Sequence, residues 1–166
     1  MDHLWSPWRY RYVQKGPPEQ GCVFCRMAAE GNDEQNHVLH RGQHNFVVLN
    51  LYPYTTGHLM VVPYEHVDSL EAASAETLSE MMLLAQKSQR HLREVYKPGG
   101  FNIGMNLAES AGAGIPGHIH LHVLPRWYGD TNFMTTVAET RVLPEDLPAT
   151  YAKLRAAFEG ALKISS

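Results

Sequence analysis

Apolar residues recur along this chain at two different periods, and each period implies a different element. Val38-Leu39-His40 and Phe46-Val47-Val48-Leu49-Asn50 are short, β-branched runs joined by a polar turn over 41–45, which is the pattern of a hairpin. A loop over 31–36 precedes them. Tyr52-Pro53-Tyr54-Thr55-Thr56-Gly57 is a second turn, and His58-Leu59-Met60-Val61-Val62-Pro63 a third strand. The period then lengthens. Over 75–96, Leu78, Met81, Met82, Ala85, Leu92 and Val95 fall on one helical face. Ser74 is placed to cap that helix, Glu76 adds charge to its first turn, and Pro98-Gly99-Gly100 ends it. Phe101-Asn102-Ile103-Gly104-Met105 returns to strand, and a small-residue loop over 111–117 leads into His118-Ile119-His120-Leu121-His122-Val123-Leu124. There the alternation is strict, with histidine on one face and Ile, Leu and Val on the other, as in a strand. A last helix is expected over 148–162, with Tyr151, Leu154, Phe158 and Leu162 inward. Short strands gathered around one long helix predict an α+β fold rather than a doubly wound sheet.

Composition narrows the classes. A chain of 166 residues is of single-domain size, and 44% hydrophobic with 19% charged residues is ordinary for a globular protein. A formal net charge of -3 speaks against a general nucleic-acid surface. No run approaches the roughly 20 apolar residues of a membrane span. The first thirteen residues are aromatic and basic (Trp5, Trp8, Arg9, Tyr10, Arg11, Tyr12) and lack a signal-peptide core, so a cytoplasmic enzyme is expected. The two cysteines, Cys22 and Cys25, are too few for a disulfide framework. A redox pair would begin a helix after a strand. Here Gly16, Pro17, Pro18 and Gly21 come first, so half of a zinc site is the better expectation.

The histidine row admits two chemistries. Successive residues on one strand face lie about 6.6–6.8 Å apart, which separates His118 from His122 by roughly 13 Å. Zinc binds nitrogen at about 2.0–2.1 Å, so three imidazoles of one straight strand chelate a single ion poorly. In the second chemistry a central, neutral His120 attacks phosphorus and later departs, while its neighbours manage protons. Backbone N–H groups of the preceding glycine loop would approach a phosphate closely.

The row His118-Ile119-His120-Leu121-His122-Val123-Leu124 resembles the motif of the histidine triad (HIT) superfamily of nucleotidyl hydrolases and transferases. So do Leu49-Asn50-Leu51-Tyr52-Pro53-Tyr54, Gly57-His58-Leu59-Met60-Val61-Val62-Pro63-Tyr64 and Phe101-Asn102-Ile103-Gly104-Met105-Asn106-Leu107. Pro125-Arg126-Trp127-Tyr128-Gly129-Asp130-Thr131-Asn132-Phe133, with Leu4-Trp5-Ser6-Pro7-Trp8-Arg9 and Cys22-Val23-Phe24-Cys25, resembles the bacterial branch containing diadenosine tetraphosphate phosphorylases. The resemblance implies a HIT-like half-barrel of about five antiparallel strands with one long helix and a C-terminal helix. It implies one domain over 1–166, in which 1–36 is an N-terminal extension carrying the cysteines and 37–166 the HIT core. A homodimer with a sheet continuous across the interface is implied as well.

Roles follow position by position. The resemblance makes His120 the nucleophile and His122 the group at the phosphate or leaving-group oxygen. Asn50 would hold the ribose and Asn106 the phosphates. Cys22, Cys25, His66 and His118 match the positions that hold a structural zinc in several members, which releases His118 from the row. Hydrolases of the superfamily usually carry Gln or Ser four residues before the first triad histidine; Gly114 stands there, leaving its backbone, Gly112 or Ser110 to meet the phosphate. Trp127 and Asn132 either pack past the strand or shape the site for the second substrate. The expected reaction is two-step nucleotidyl transfer, by phosphorolysis of diadenosine tetraphosphate or a similar adenosine polyphosphate with inorganic phosphate as acceptor. A hydrolase of dinucleoside polyphosphates or nucleoside phosphoramidates, a metal-dependent phosphoesterase and a non-catalytic nucleotide-binding module remain the alternatives.

Overall fold

The computed structural model describes residues 21–131 and 144–160, and its elements follow the predicted order with one α-helical addition besides a single 3-10 turn at Glu109–Ala111. The addition is helix α1, Val23–Glu30, with Cys22 as its N-cap and Gly31 ending it at φ 62. Eight residues give too short a period to stand out, yet Phe24 and Met27 are buried one turn apart. Strands β1 (Val38–Arg41), β2 (Asn45–Leu49) and β3 (Leu59–Pro63) form a meander, followed by helix α2 (Ala75–Tyr96) and strands β4 (Gly100–Gly104) and β5 (Leu121–Arg126). Helix α3, Leu147–Phe158, is capped by Asp146, whose carboxylate accepts from the Ala149 N–H; Leu162 of the expected helix lies outside the described residues. The sheet is open and antiparallel throughout, in the order β1-β2-β3-β5-β4. Among the described residues no helix is long and apolar enough to cross a membrane.

Both faces of the central strands are covered, which is why β2 and β3 read as unbroken apolar runs. Val47, Leu49, Leu59, Val61, Leu121 and Val123 pack under α2 and α3 with Met81, Leu92 and Leu154. Phe46, Val48, Met60 and Val62 face the other way, toward Phe24 and Met27 of α1. Helix α2 keeps its predicted ends: Ser74 accepts from the Thr77 N–H, and Lys97 closes the helix in the left-handed region at φ 47. Its buried face is Thr77, Met81, Leu84, Ala85, Ser88 and Leu92, so Met82, expected inward, is 58% exposed.

The histidine strand starts later than its alternation suggests. Ladder pairing to β3 and β4 begins at Leu121 and His122. Upstream β4 has ended at Gly104 and the β3 ladder stops at Val61, although β3 itself runs on to Pro63; the Ile119 N–H bonds the Val67 carbonyl instead, while Ile119 keeps its place in the core. Alternation thus survives beyond the ladder because one face still has apolar neighbours.

Candidate active site and metal centre

His118, His120 and His122 are all buried on the α1 side of the sheet. Each ring has a neighbour that decides which nitrogen carries hydrogen. The Nδ1 of His120 lies 2.9 Å from the His118 carbonyl oxygen, which can only accept. His120 is therefore the Nδ1–H tautomer, and its Nε2 keeps a lone pair. Burial pulls its pKa down, against the pull of that hydrogen bond, so the ring stays neutral below the ordinary imidazole range.

His122 has the opposite tautomer, and the cause is His58. The Tyr54 N–H donates to His58 Nδ1 at 3.2 Å, so the His58 hydrogen sits on Nε2. That Nε2 is 2.8 Å from His122 Nδ1, which must accept and leaves His122 with its hydrogen on Nε2. Burial first, then the neighbouring His122 and His120, lowers the His58 pKa to about 3. Burial and then His120 lower that of His122 to about 4. A bare nucleophilic nitrogen and a neutral N–H donor thus stand side by side, ring centroids 4.9 Å apart. His58 is the residue that sequence reasoning missed. Its spacing from His122 reveals nothing, because β3 and β5 meet across 64 positions.

Asn50 joins this group. Its side-chain amide faces His58 Nδ1 at 3.4 Å, and its carbonyl oxygen accepts the Tyr52 N–H at 2.9 Å. The loop between β4 and β5 leaves the sheet at Gly104, the partner of His122, and rejoins it at Leu121 after passing His118 and His120, so both its ends lie beside the triad. Asn106 lies half-buried just past the first end, and Ser110 and Gly114 are exposed further along. Gly112 takes φ 82 and donates its N–H to the Glu109 carbonyl, so this glycine serves the turn. Trp127 stands five residues beyond His122, roughly 16 Å along β5 at the strand rise, and donates its indole N–H to the Tyr96 carbonyl. Asn132 lies outside the described residues.

His118 turns to a second group. Its Nε2–H donates to the Pro63 carbonyl at 2.9 Å, which leaves Nδ1 as a lone pair. That atom is 3.3 Å from Cys22 Sγ, 3.7 Å from Cys25 Sγ and 3.2 Å from His66 Nδ1, and Cys25 Sγ is 3.2 Å from His66 Nδ1. The four ligand atoms lie within 4.8 Å of one another. A tetrahedral zinc with bonds of about 2.0–2.1 Å to nitrogen and 2.3 Å to sulfur sets its ligand atoms roughly 3.3–3.8 Å apart, so the set fits such an ion. The Pro63 contact is the outer hydrogen bond expected of a ligating imidazole. Burial, with the hydrogen bond and charge of Cys22, pushes the Cys25 thiol up; metal uptake would release protons. The cysteines do begin a helix, as a redox pair would, but the two imidazoles facing them complete a ligand set.

A HIT domain family model matches residues 32–128. The chain is 40% identical over 157 residues to an AP-4-A phosphorylase of Mycobacterium tuberculosis, covering 90% of this chain and 80% of that protein. Its fold is similar to a crystal structure of a zinc-bound histidine triad family protein from Mycobacterium smegmatis, with a TM-score of 0.69 and 31% identity over 85% of this chain and 95% of the other. The diadenosine triphosphate hydrolase of Plasmodium falciparum, at 13% identity and a TM-score of 0.60 over 76% of each chain, shares the fold.

Proposed function

The chain belongs to the HIT domain family, and from that premise we propose that it splits diadenosine tetraphosphate, or a similar adenosine polyphosphate, by phosphorolysis through a covalent nucleotidyl-His120. One observation carries the reading: His120 offers an unprotonated Nε2 beside the Nε2–H of His122. The 40% identity to an AP-4-A phosphorylase supports the choice of substrate.

In the first step the His120 Nε2 lone pair attacks the α-phosphorus. The nitrogen–phosphorus bond forms as the bond to the bridging oxygen breaks. ATP leaves as an anion, its new terminal oxygen accepting a hydrogen bond from the Nε2–H of His122. In the second step an unprotonated oxygen of inorganic phosphate attacks the same phosphorus, with the His122 Nε2–H again donating to the charged oxygens. The nitrogen–phosphorus bond breaks, releasing ADP and returning the lone pair to His120 Nε2. Desolvation keeps both imidazoles neutral, the state each role requires. His58 positions His122 and touches no substrate. Asn50, already oriented by Tyr52 and His58, offers its remaining amide hydrogen and lone pair to the ribose hydroxyls. Asn106, Ser110 and the backbone around Gly114 serve the phosphates, Gly112 shapes their loop, and Trp127 braces the far end of β5.

Cys22, Cys25, His66 and His118 would hold zinc, whose chemistry here is structural: a closed, four-ligand clamp. Thiols in this state suit a reducing compartment such as the cytoplasm. The two buried clusters share β2 and β3, which supports reading the chain as one HIT domain. We also assign a homodimer joined along β4, argued below.

Mass spectrometry of the protein mixed with diadenosine tetraphosphate tests the mechanism. A gain of one adenylyl group is expected in the wild type and none in His120→Gly. Release of ADP rather than AMP when phosphate is added identifies the acceptor. Turnover without any adduct on His120 would overturn the proposal.

A further inference from the structure

Helix α1 is attached to the body of the protein at its two ends by different means. Its last turn is held by Arg41, which donates to the Ala28 carbonyl at 3.0 Å and the Met27 carbonyl at 2.9 Å. Its first turn carries Cys22 and Cys25, whose sulfurs face His66 and His118. A helix of eight residues is too short to hold its own shape in water, so the position of that first turn depends on what grips it. Cys22, as N-cap, supplies no side-chain hydrogen bond to the helix.

Between the cysteines stands Phe24, 1% exposed. Its ring meets His118 edge-on at 5.4 Å and lies tilted against His120 at 5.1 Å. His120 thus has Phe24 on one side and His122 on another, and its Nδ1 rests on the His118 carbonyl. The ring of His118, in turn, is held through Nε2 by Pro63 and through Nδ1 by the four-ligand group. Two routes therefore run from the metal ligands to the nucleophile, one through the Phe24 ring and one through the His118 carbonyl.

We propose that Phe24 and the His118 carbonyl are positioning groups through which the filled metal centre fixes the orientation and tautomer of His120. This rests on the reading of Cys22, Cys25, His66 and His118 as metal ligands and of His120 as nucleophile. With the ligands drawn together, the first turn of α1 presses Phe24 against His120, and the His118 carbonyl keeps hydrogen on Nδ1. With the ligands apart, His118 keeps only Pro63, and the Phe24 wall moves with its turn. His120 then also samples the Nε2–H tautomer, in which the attacking atom has no lone pair to offer. The metal centre in this account touches no substrate, yet sets the fraction of protein able to react.

The test is long-range proton–nitrogen NMR of the His120 ring at neutral pH, in the full chain, with zinc content measured on the same samples by elemental mass spectrometry. The zinc-loaded protein should show one tautomer, Nδ1–H. Removal of zinc with a chelator should give a mixture, and zinc added back should restore the single form. Phe24→Leu should keep one zinc per chain yet show the mixture, and form the adenylyl adduct on the order of 10²-fold more slowly with KM unchanged. If the chelated chain unfolds, Phe24→Leu decides: a mixture supports the proposal and a single Nδ1–H form overturns it. An unchanged His120 ring in the loaded, stripped and Phe24→Leu proteins overturns it while leaving the ligand reading intact. Protein that takes up no zinc overturns the ligand reading and the proposal with it, and absence of an adduct in the wild type does the same for the nucleophile.

Discussion

An imidazole has two nitrogens, and its neighbours decide which one carries the hydrogen. In the proposed mechanism that choice suits three histidines of one row to three tasks. A carbonyl at Nδ1 suits His120 to be the nucleophile, a carbonyl at Nε2 suits His118 to be a ligand, and a donor at Nδ1 leaves His122 an Nε2–H to donate. The last choice depends on His58, so its replacements should separate by hydrogen-bonding capacity. His58→Gln, which still donates to His122 Nδ1, should retain much of kcat. His58→Leu, similar in bulk but unable to donate, should lose on the order of 10²-fold. Steady-state ADP release measures both, and equal kcat values would remove His58 from the mechanism.

Among the elements, the junction of α2 with the turn of the β1–β2 hairpin centres on one carboxylate, beside the bond from the Asn45 side chain to the Thr77 carbonyl. Glu80 accepts from the backbone N–H groups of Gln43 at 2.6 Å, His44 at 2.7 Å and Asn45 at 2.7 Å, and from the Asn45 side chain at 2.9 Å. Gly42 leaves the room: a Cβ there would lie 2.7 Å from Glu80 Oε1 and 2.9 Å from the Asn45 carbonyl. Burial alone would raise the Glu80 pKa, but the bonds from Asn45, Gln43 and His44 win and hold it below the ordinary value. A carboxyl lowered in the folded state adds stability above its unfolded pKa and loses it as pH falls through the folded one. Glu80→Gln should therefore cost about 1–3 kcal/mol in urea unfolding at pH 7. The gap to wild type should close on acidification below the ordinary carboxylate range; a gap independent of pH would contradict this role for the charge.

At the scale of the molecule, the two sheet edges are treated differently. The β1 edge is covered by α3, where Arg155 donates to the Val38 carbonyl at 3.1 Å and the Leu39 carbonyl at 3.2 Å, and Tyr151 donates to the Val38 carbonyl at 3.3 Å. The other edge, β4, pairs only with β5 among the described residues, and its Ile103 is 40% exposed. An unguarded edge of this kind invites a second strand. The homodimer we assign places two β4 strands side by side, making one sheet of two protomers. Sedimentation equilibrium should give a dimer for the wild type and monomers for Ile103→Lys, and a dimer that survives this change must use another face.

Much of this protein is written in local order. The α2 boundaries, the hairpin around 41–45 and the strict alternation at the triad follow from periods and caps spanning a few residues, and such features act before the chain folds. The resemblance of short motifs likewise suggested the roles proposed for His120, His122 and the four candidate metal ligands. Helix α1 escaped notice because eight residues have little period of their own and are held by distant partners. Met82 was misplaced because a helical face sets spacing, not which of two flanks the sheet covers. The tautomers of His118 and His122, the pairing of His58 with His122, and the contact of Phe24 with His120 belong to tertiary structure alone. Each is a hydrogen bond or ring contact between segments tens of residues apart, and sequence spacing holds no record of which strand will lie beside which.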